Sequence, residues 1–356
     1  MTVGTRVLPW LFSARADLLA FGGSAALSLI LLAIGAWLGV LHSDSPDWTW
    51  VIGVLLIDVA HVYSTGFRVY FDREEVLRRP WLYLGTPLAA FGIGWALYSE
   101  DSAIFWRALA YLAAFHFVRQ QYGWVALYRS KAGETDRFGQ RLDAAAIHLA
   151  TLYPLVYWHA HLPRRFWWFL PGDFIQLPTL LADILAPIYG VTLLAYFART
   201  LTRGLRDGFW NPGKDLVVMT TAVCWYVGII TFNSDYAFTV TNVVIHGIPY
   251  LVLVHWYWRR RHSERPLSRA VSWSQLLAVV WLLAYVEELF WDRGLWHERS
   301  WLFGTRWDLG DFEPAFVALL AVPQITHYVL DGFVWKRRSN EQFSRAIGPI
   351  QLRTRQ

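Results

Sequence analysis

The sequence predicts an all-α, polytopic membrane protein with about ten transmembrane helices, and three observations carry that reading. Of its 356 residues 55% are hydrophobic and only 17% charged, whereas an ordinary soluble domain carries about 25% charged residues. The apolar residues fall in blocks of roughly twenty, the length of helix that crosses about 30 Å of hydrocarbon. Placing the intervening loops on alternate sides puts 25 of the 32 Lys and Arg on the side of the N-terminus. That asymmetry predicts cytoplasmic N and C termini.

The first block, 17–40, follows only Arg6 and Arg15 and lacks a small-residue cleavage pattern, so it reads as a retained span and not a removed signal peptide. Blocks 49–70 and 81–98 are separated by Arg73, Arg78 and Arg79, and block 103–127 ends at Arg129, Lys131, Arg137 and Arg141. Block 143–160 leads into an external segment, 161–176, with Arg164, Arg165 and the run Phe166, Trp167, Trp168, Phe169. Blocks 177–198 and 215–232 follow; block 236–257 contains Pro249 and ends at Arg259, Arg260 and Arg261. Block 272–290 precedes a second external segment, 291–314, with Trp291, Trp296, Trp301 and Trp307, and block 315–335 ends at Lys336, Arg337 and Arg338. Indole settles at the headgroup layer, so both external segments are expected to lie at the interface. No repeat, linker or soluble appendage divides the chain, so 1–356 reads as one integral membrane domain, in a bacterial inner membrane.

Composition narrows the function. The lone Cys224 removes disulfide frameworks and thiolate metal sites from consideration. The net charge of +5 comes from arginines beside apolar spans, which report orientation and contact with membrane lipids, and no nucleic acid is expected as a partner.

Ionisable side chains inside apolar spans are costly in lipid unless they face partners, a cavity or a metal. The second block carries Asp58, His61, Thr65, Arg68 and Asp72 along one helical face; the fourth carries His116, Arg119, Gln120 and Gly123. The eighth carries Asn242 and His246 just before Pro249, and the tenth carries Gln324, His327 and Asp331. All four blocks run in the same direction, with the histidines about ten to thirteen residues from the external end, so four helices deliver one imidazole each to a common depth. One buried histidine is usually a hydrogen-bonded core residue. Four at one level, each with a carboxylate, amide or guanidinium one turn away, point to a shared site.

Neutral imidazole suits iron, copper, zinc and nickel. Asp58 and Asp331 are placed to orient His61 and His327 or to bind directly, with Gln120, Gln324 and Asn242 orienting other rings. Such a site, of His61, His116, His246 and His327, leaves room for dioxygen at an open position on ferrous iron. His255 is nine residues from His246 and faces away on a straight helix; His148, His159, His161, His297 and His42 are expected near the surfaces. Trp106, Tyr111, Phe115, Phe117 and Tyr122 surround His116, and Tyr63, Tyr250 and Tyr328 lie within four residues of the other histidines, a set suited to lining a tunnel for an isoprenoid or acyl chain.

Asp58 to His61, the segment His246 to His262 with its aromatic and basic end, and His327 to Asp331 resemble the bacterial Brp/Blh-type carotene-cleaving oxygenases. Those are membrane proteins of similar size with histidines on several spans thought to hold a non-haem iron. The resemblance covers roughly 55–335 and implies an iron oxygenase of a lipid-soluble substrate.

The expectation is therefore a membrane oxidoreductase with one non-haem iron, or another transition metal, acting with dioxygen on a carotenoid, isoprenoid or acyl lipid. Arg119 would bind a polar head or stabilise an oxyanion, or else snorkel; Asp58 and Asp331 would move protons. An electron donor protein is a further expected partner. Two other classes remain open: a metal-independent acyl or prenyl transferase with a histidine base, and a His/Asp transporter or haem protein.

Overall fold

The computed structural model describes residues 8–43, 45–165, 172–262, 271–338 and 340–348. Among these the regular elements are all helices. The aromatic run Phe166 to Phe169 lies outside the described residues. Ten long helices follow the ten apolar blocks: α1 Ala14–Trp37, α2 Asp47–Tyr70, α3 Pro80–Glu100, α4 Ser102–Lys131, α5 Arg137–Ala160, α6 Thr179–Asp207, α7 Pro212–Thr231, α8 Asp235–Arg261, α9 Trp273–Trp296 and α10 Gly310–Val334.

Seven of them, not the expected ten, are long and apolar enough to cross a membrane, which suggests a multi-pass membrane protein. The three that fall short are α3, α4 and α5, and their composition explains it. α4 carries Arg107, Arg119, Gln120, Gln121, Arg129 and Lys131, and α5 carries Arg137, Arg141, Asp143, His148 and His159, while α3 is diluted by Trp, Tyr, Pro and Gly.

Local chemistry sets the helix starts. Asp101 accepts the Ala103 amide ahead of α4, Asp136 accepts that of Gly139 ahead of α5, and Asn211 precedes Pro212 at the first position of α7. Ser272 and Gln275 form a reciprocal capping box at α9. Gly208, at φ 58°, ends α6 in the left-handed conformation that glycine adopts without strain.

α2, α4, α8 and α10 run the same way, because their C-terminal ends are tied together. Arg68 of α2 pairs with Glu75 at 3.2 Å and donates to the Val334 carbonyl of α10 at 2.7 Å. Arg261 at the end of α8 donates to Asp72 just beyond α2 at 3.1 Å. Arg337, just past α10, donates to Ser130 of α4 at 3.1 Å.

Glycine lets α2 and α8 approach closely: a β-carbon on Gly247 would stand 2.6 Å from Ile57 Cγ2, and one on Gly53 would stand 2.7 Å from Thr239 Cγ2. π-type turns at Trp50–Val59 in α2 and Thr239–Val243 in α8 end two and three residues before His61 and His246. Such turns re-aim the side chains that follow them. α3 packs along α10, and α5 along α6, which buries little else.

The 291–314 segment is a π-type turn, Asp292–Trp296, and a short helix, Ser300–Phe303. Trp291 is buried and stacks near Trp296, with Trp106 of α4 against both. These indoles wall an internal cavity.

Candidate metal centre

The close crossing of α2 and α8 brings His61 Nε2 to 3.1 Å from His246 Nε2. His116 and His327 close the group from α4 and α10. Ring centroids are 4.7 Å apart for His116 and His327, 4.8 Å for His61 and His327, 5.1 Å for His116 and His246, and 6.4 Å for His61 and His116. All four side chains are buried.

One ring nitrogen each of His61, His116 and His327 lies within 4.8 Å of the others, as do ligand atoms of Asp58, His61 and His246. The His61, His116 and His327 triad could therefore hold a metal ion, and the Asp58, His61 and His246 triad is a second, overlapping set.

The hydrogen-bond inventory of the rings shows what the site still wants. His327 Nδ1 is 2.7 Å from Thr65 Oγ1, which orients that ring and leaves its Nε2 inward and unpartnered. His61 Nδ1, His116 Nε2 and His246 Nδ1 are likewise buried with no hydrogen-bond partner. A buried polar atom left without a partner costs about 1–3 kcal/mol, so each of these nitrogens calls for a water or an ion. Two nitrogens each about 2.1 Å from one ion stand roughly 3.0–3.4 Å apart at tetrahedral or right angles. The His61 Nε2 to His246 Nε2 separation falls in that range, although the unpartnered atoms of these two rings are their Nδ1; without an ion it fits one Nε2–H donating to the other Nε2. The donor set of neutral imidazoles and carboxylate thus fits a borderline transition metal.

No protein-family model, curated protein or solved structure matches this chain. The reading of the centre rests on its geometry.

The carboxylates sit beside the rings. Asp58 Oδ1 is 3.6 Å from His61 Nδ1. Asp331 Oδ2 is 3.9 Å from His116 Nδ1 and 4.0 Å from His327 Nε2, while its Oδ1 accepts from Tyr250 at 2.5 Å and Trp335 at 3.2 Å. Phe117 stacks flat on His246 at 3.8 Å, and Tyr328 on His116 at 4.7 Å, so each of these rings is held on one face.

Other expected site residues stand elsewhere. Arg119 is exposed, with its guanidinium over the Tyr122 ring at 5.3 Å. Gln120 donates to the His246 carbonyl at 2.9 Å, Gln324 to Glu287 at 3.3 Å, and Asn242 to Thr241 and the Phe238 carbonyl. These amides steady the surrounding helices and turn to no imidazole. His255 stacks on Trp273 at 4.0 Å, away from the centre. His159 overturns its surface expectation: it is buried, receives Tyr111 at 3.1 Å and lines the central cavity.

That cavity, of about 300 Å³, lies beside the centre: Asp58, Phe117 and Tyr328, neighbours of the four histidines, line it. Trp50, Trp106, Trp158, Trp225, Trp291 and Trp296 form most of its wall, and Asp173, Glu288, Glu298 and Arg299 bring charge to it. Sequence reasoning missed Glu287 and Glu288, two buried carboxylates of α9. Their signal was present, as two carboxylates within the expected span 272–290.

Proposed function

We propose that this protein is a membrane-embedded, metal-dependent oxidoreductase that acts with dioxygen on a lipid-soluble substrate, with non-haem iron as its metal. The observation that carries the reading is the set of four buried imidazoles from four helices, each with a ring nitrogen that has no protein hydrogen-bond partner, beside an aromatic cavity lined by their neighbours Asp58, Phe117 and Tyr328. His61, His116, His246 and His327 would hold the ion. Iron bound there would supply the redox chemistry and a position for dioxygen.

The chain's own residues do the rest. Thr65 bonds Nδ1 of His327 and holds the angle of that ring, the kind of outer contact on which ligand geometry depends. Asp58 is placed to take or return a proton beside His61, and Asp331, anchored by Tyr250 and Trp335, does so beside His116. Six indoles around the cavity exclude water and present flat apolar faces to a chain of carbon atoms. Desaturation or hydroxylation would draw electrons from a donor protein; cleavage of a double bond by dioxygen would not.

The likeness to carotene-cleaving oxygenases supports the same reading, with a polyene as one substrate class. Haem fits poorly, because the four rings pack against one another and leave no slot for a porphyrin plane. A transferase with a single histidine base leaves three imidazoles without a task. A proton-conducting reading draws on Asp58, Glu287 and Glu288, all at the cavity or beside it.

Elemental analysis and an absorption spectrum of the detergent-purified protein test the proposal, beside a His116→Ala/His327→Ala double variant. About one iron per chain without a Soret band, lost in the variant, is the expected result. Metal-free protein after supplementation would overturn it in favour of proton transfer or transferase chemistry.

A further inference from the structure

A second cleft, of about 330 Å³, lies between α3, α4 and α10, and its chemistry differs from that of the central cavity. Thr86 is its one polar lining residue among the described residues, and that hydroxyl is turned to the Leu82 carbonyl at 2.7 Å. It opens outward: Ile93 is 61% exposed, and Ala89 and Ala108 are exposed beside it. Phe105 and Gly94 close its floor.

The cleft and the central cavity share one lining residue, Leu109. On α10 the two spaces touch adjacent positions, Gln324 and Tyr328 inside, Ile325 and Val329 outside. Leu109 is half-buried and precedes His116 by seven residues, so it sits on the same stripe of α4, about 10 Å along the axis from the histidine. Elsewhere the cavity wall carries Asp173, Glu298 and Arg299, the wrong chemistry for a hydrocarbon chain.

We propose that the cleft between α3, α4 and α10 is the lateral entry site for the substrate's hydrocarbon chain, received from the bilayer, with the Leu109 side chain as the partition it crosses to reach the histidine centre. The occupant is a linear acyl or isoprenoid chain, chosen by continuity of the cleft with the aromatic cavity and by its apolar lining. The inference rests on the oxidoreductase reading for its purpose but not for its test.

The probe is a C16 fatty acid with a diazirine at its terminal carbon, photolysed with the full-length protein in lipid nanodiscs and mapped by mass spectrometry. In the wild type, label is expected in the cleft, at Ile93, Leu112 and Val329, and in the cavity, at Ala113 and Phe117. Ala108→Trp, an exposed position that fills the cleft from outside, is expected to lower both about tenfold. Leu109→Ala is expected to leave cleft labelling unchanged and raise cavity labelling severalfold. An unlabelled cleft, or cavity labelling indifferent to Ala108→Trp, overturns the entry site and assigns access to the charged side of the cavity. Iron content of the same samples separates the two ideas: metal-free protein labelled as expected refutes the oxidoreductase reading alone, and iron-loaded protein with an indifferent pattern refutes the entry site alone.

Discussion

Two buried polar clusters of this protein are made of similar material and finished differently. At the turn between α4 and α5, Glu134 has both carboxylate oxygens bonded: Oε1 to Lys214 and Asn211 at 2.9 Å each, Oε2 to Arg203 at 2.6 Å. Asp143 joins through Lys214 at 2.9 Å and through Arg129, whose other amino group reaches the backbone carbonyls of Glu134 and Asp136. The network clamps α4, α5, α6 and α7 and is closed on itself, with only Asp143 Oδ1 unpartnered. In the middle of the bundle the histidine centre is equally buried, yet four rings each keep a nitrogen without a partner. A polar group that has traded water for protein partners is doing structural duty, whereas four converging imidazoles that each keep an unpartnered nitrogen have room for an ion or water among them.

The sharpest test crosses the two regions. His61→Ala/His246→Ala is expected to bring bound metal to background by elemental analysis while leaving helical content by circular dichroism near wild type. Glu134→Gln is expected to do the reverse. It keeps the metal and lowers resistance to unfolding in a denaturing-detergent titration by about 3–5 kcal/mol, because Arg203 loses its counter-ion and Lys214 keeps only Asp143. Metal loss in Glu134→Gln would erase the distinction.

The same carboxylate gives the comparison a pH axis. Burial alone would raise the Glu134 pKa, but Lys214, Asn211 and Arg203 outweigh it and hold the group down at about 2 from an ordinary 4.5. A depressed pKa contributes stability that is present in full above the unfolded value and is lost as pH falls through the folded one. The stability gap between wild type and Glu134→Gln should therefore be constant from pH 7 to pH 5 and narrow from there toward pH 2. A gap that widens on acidification would assign the stabilisation to other groups.

Smaller effects probe how the centre is assembled. Gly247→Val puts side-chain atoms where Ile57 stands. It should cost about 1–3 kcal/mol through overpacking, and by pushing α2 from α8 it should also weaken metal binding. A destabilised variant with unchanged metal affinity would show that the His61 to His246 approach is not required. Thr65→Val removes the hydroxyl that orients His327, and metal affinity in a chelator competition should fall about tenfold or more, with a stability loss of about 1–3 kcal/mol from the orphaned Nδ1.

Much of the bundle was legible in the sequence. The length of the apolar blocks follows from hydrocarbon thickness, so most helix bounds were placed to within about five residues, although α5 starts at Arg137, α6 runs on to Asp207 and α9 to Trp296, and α3, α4 and α5 are less apolar than their helical length suggested. The common direction of α2, α4, α8 and α10 and the shared depth of their histidines followed from counting residues along each block. The nine-residue offset of His255 foretold that it faces away, toward Trp273. Arg119 and the amides of Gln120 and Gln324 show the opposite case. Spacing puts a residue near a face to within some tens of degrees, and at that resolution an inward amide and an exposed guanidinium look alike.

By itself the sequence determined that the protein is a bundle of long, largely apolar helices and that four of them each carry one imidazole to a similar level, because periodicity and rise per residue are properties of a single helix. Which helices are neighbours was decided only by tertiary structure. Gly53 and Gly247 permit the close crossing of α2 and α8, and the ties among Arg68, Glu75, Arg261 and Val334 gather the helix ends. Lateral order depends on how all the faces pack at once, and no one face encodes it. The convergence of His61, His116, His246 and His327 on one point is therefore a property of the packed bundle.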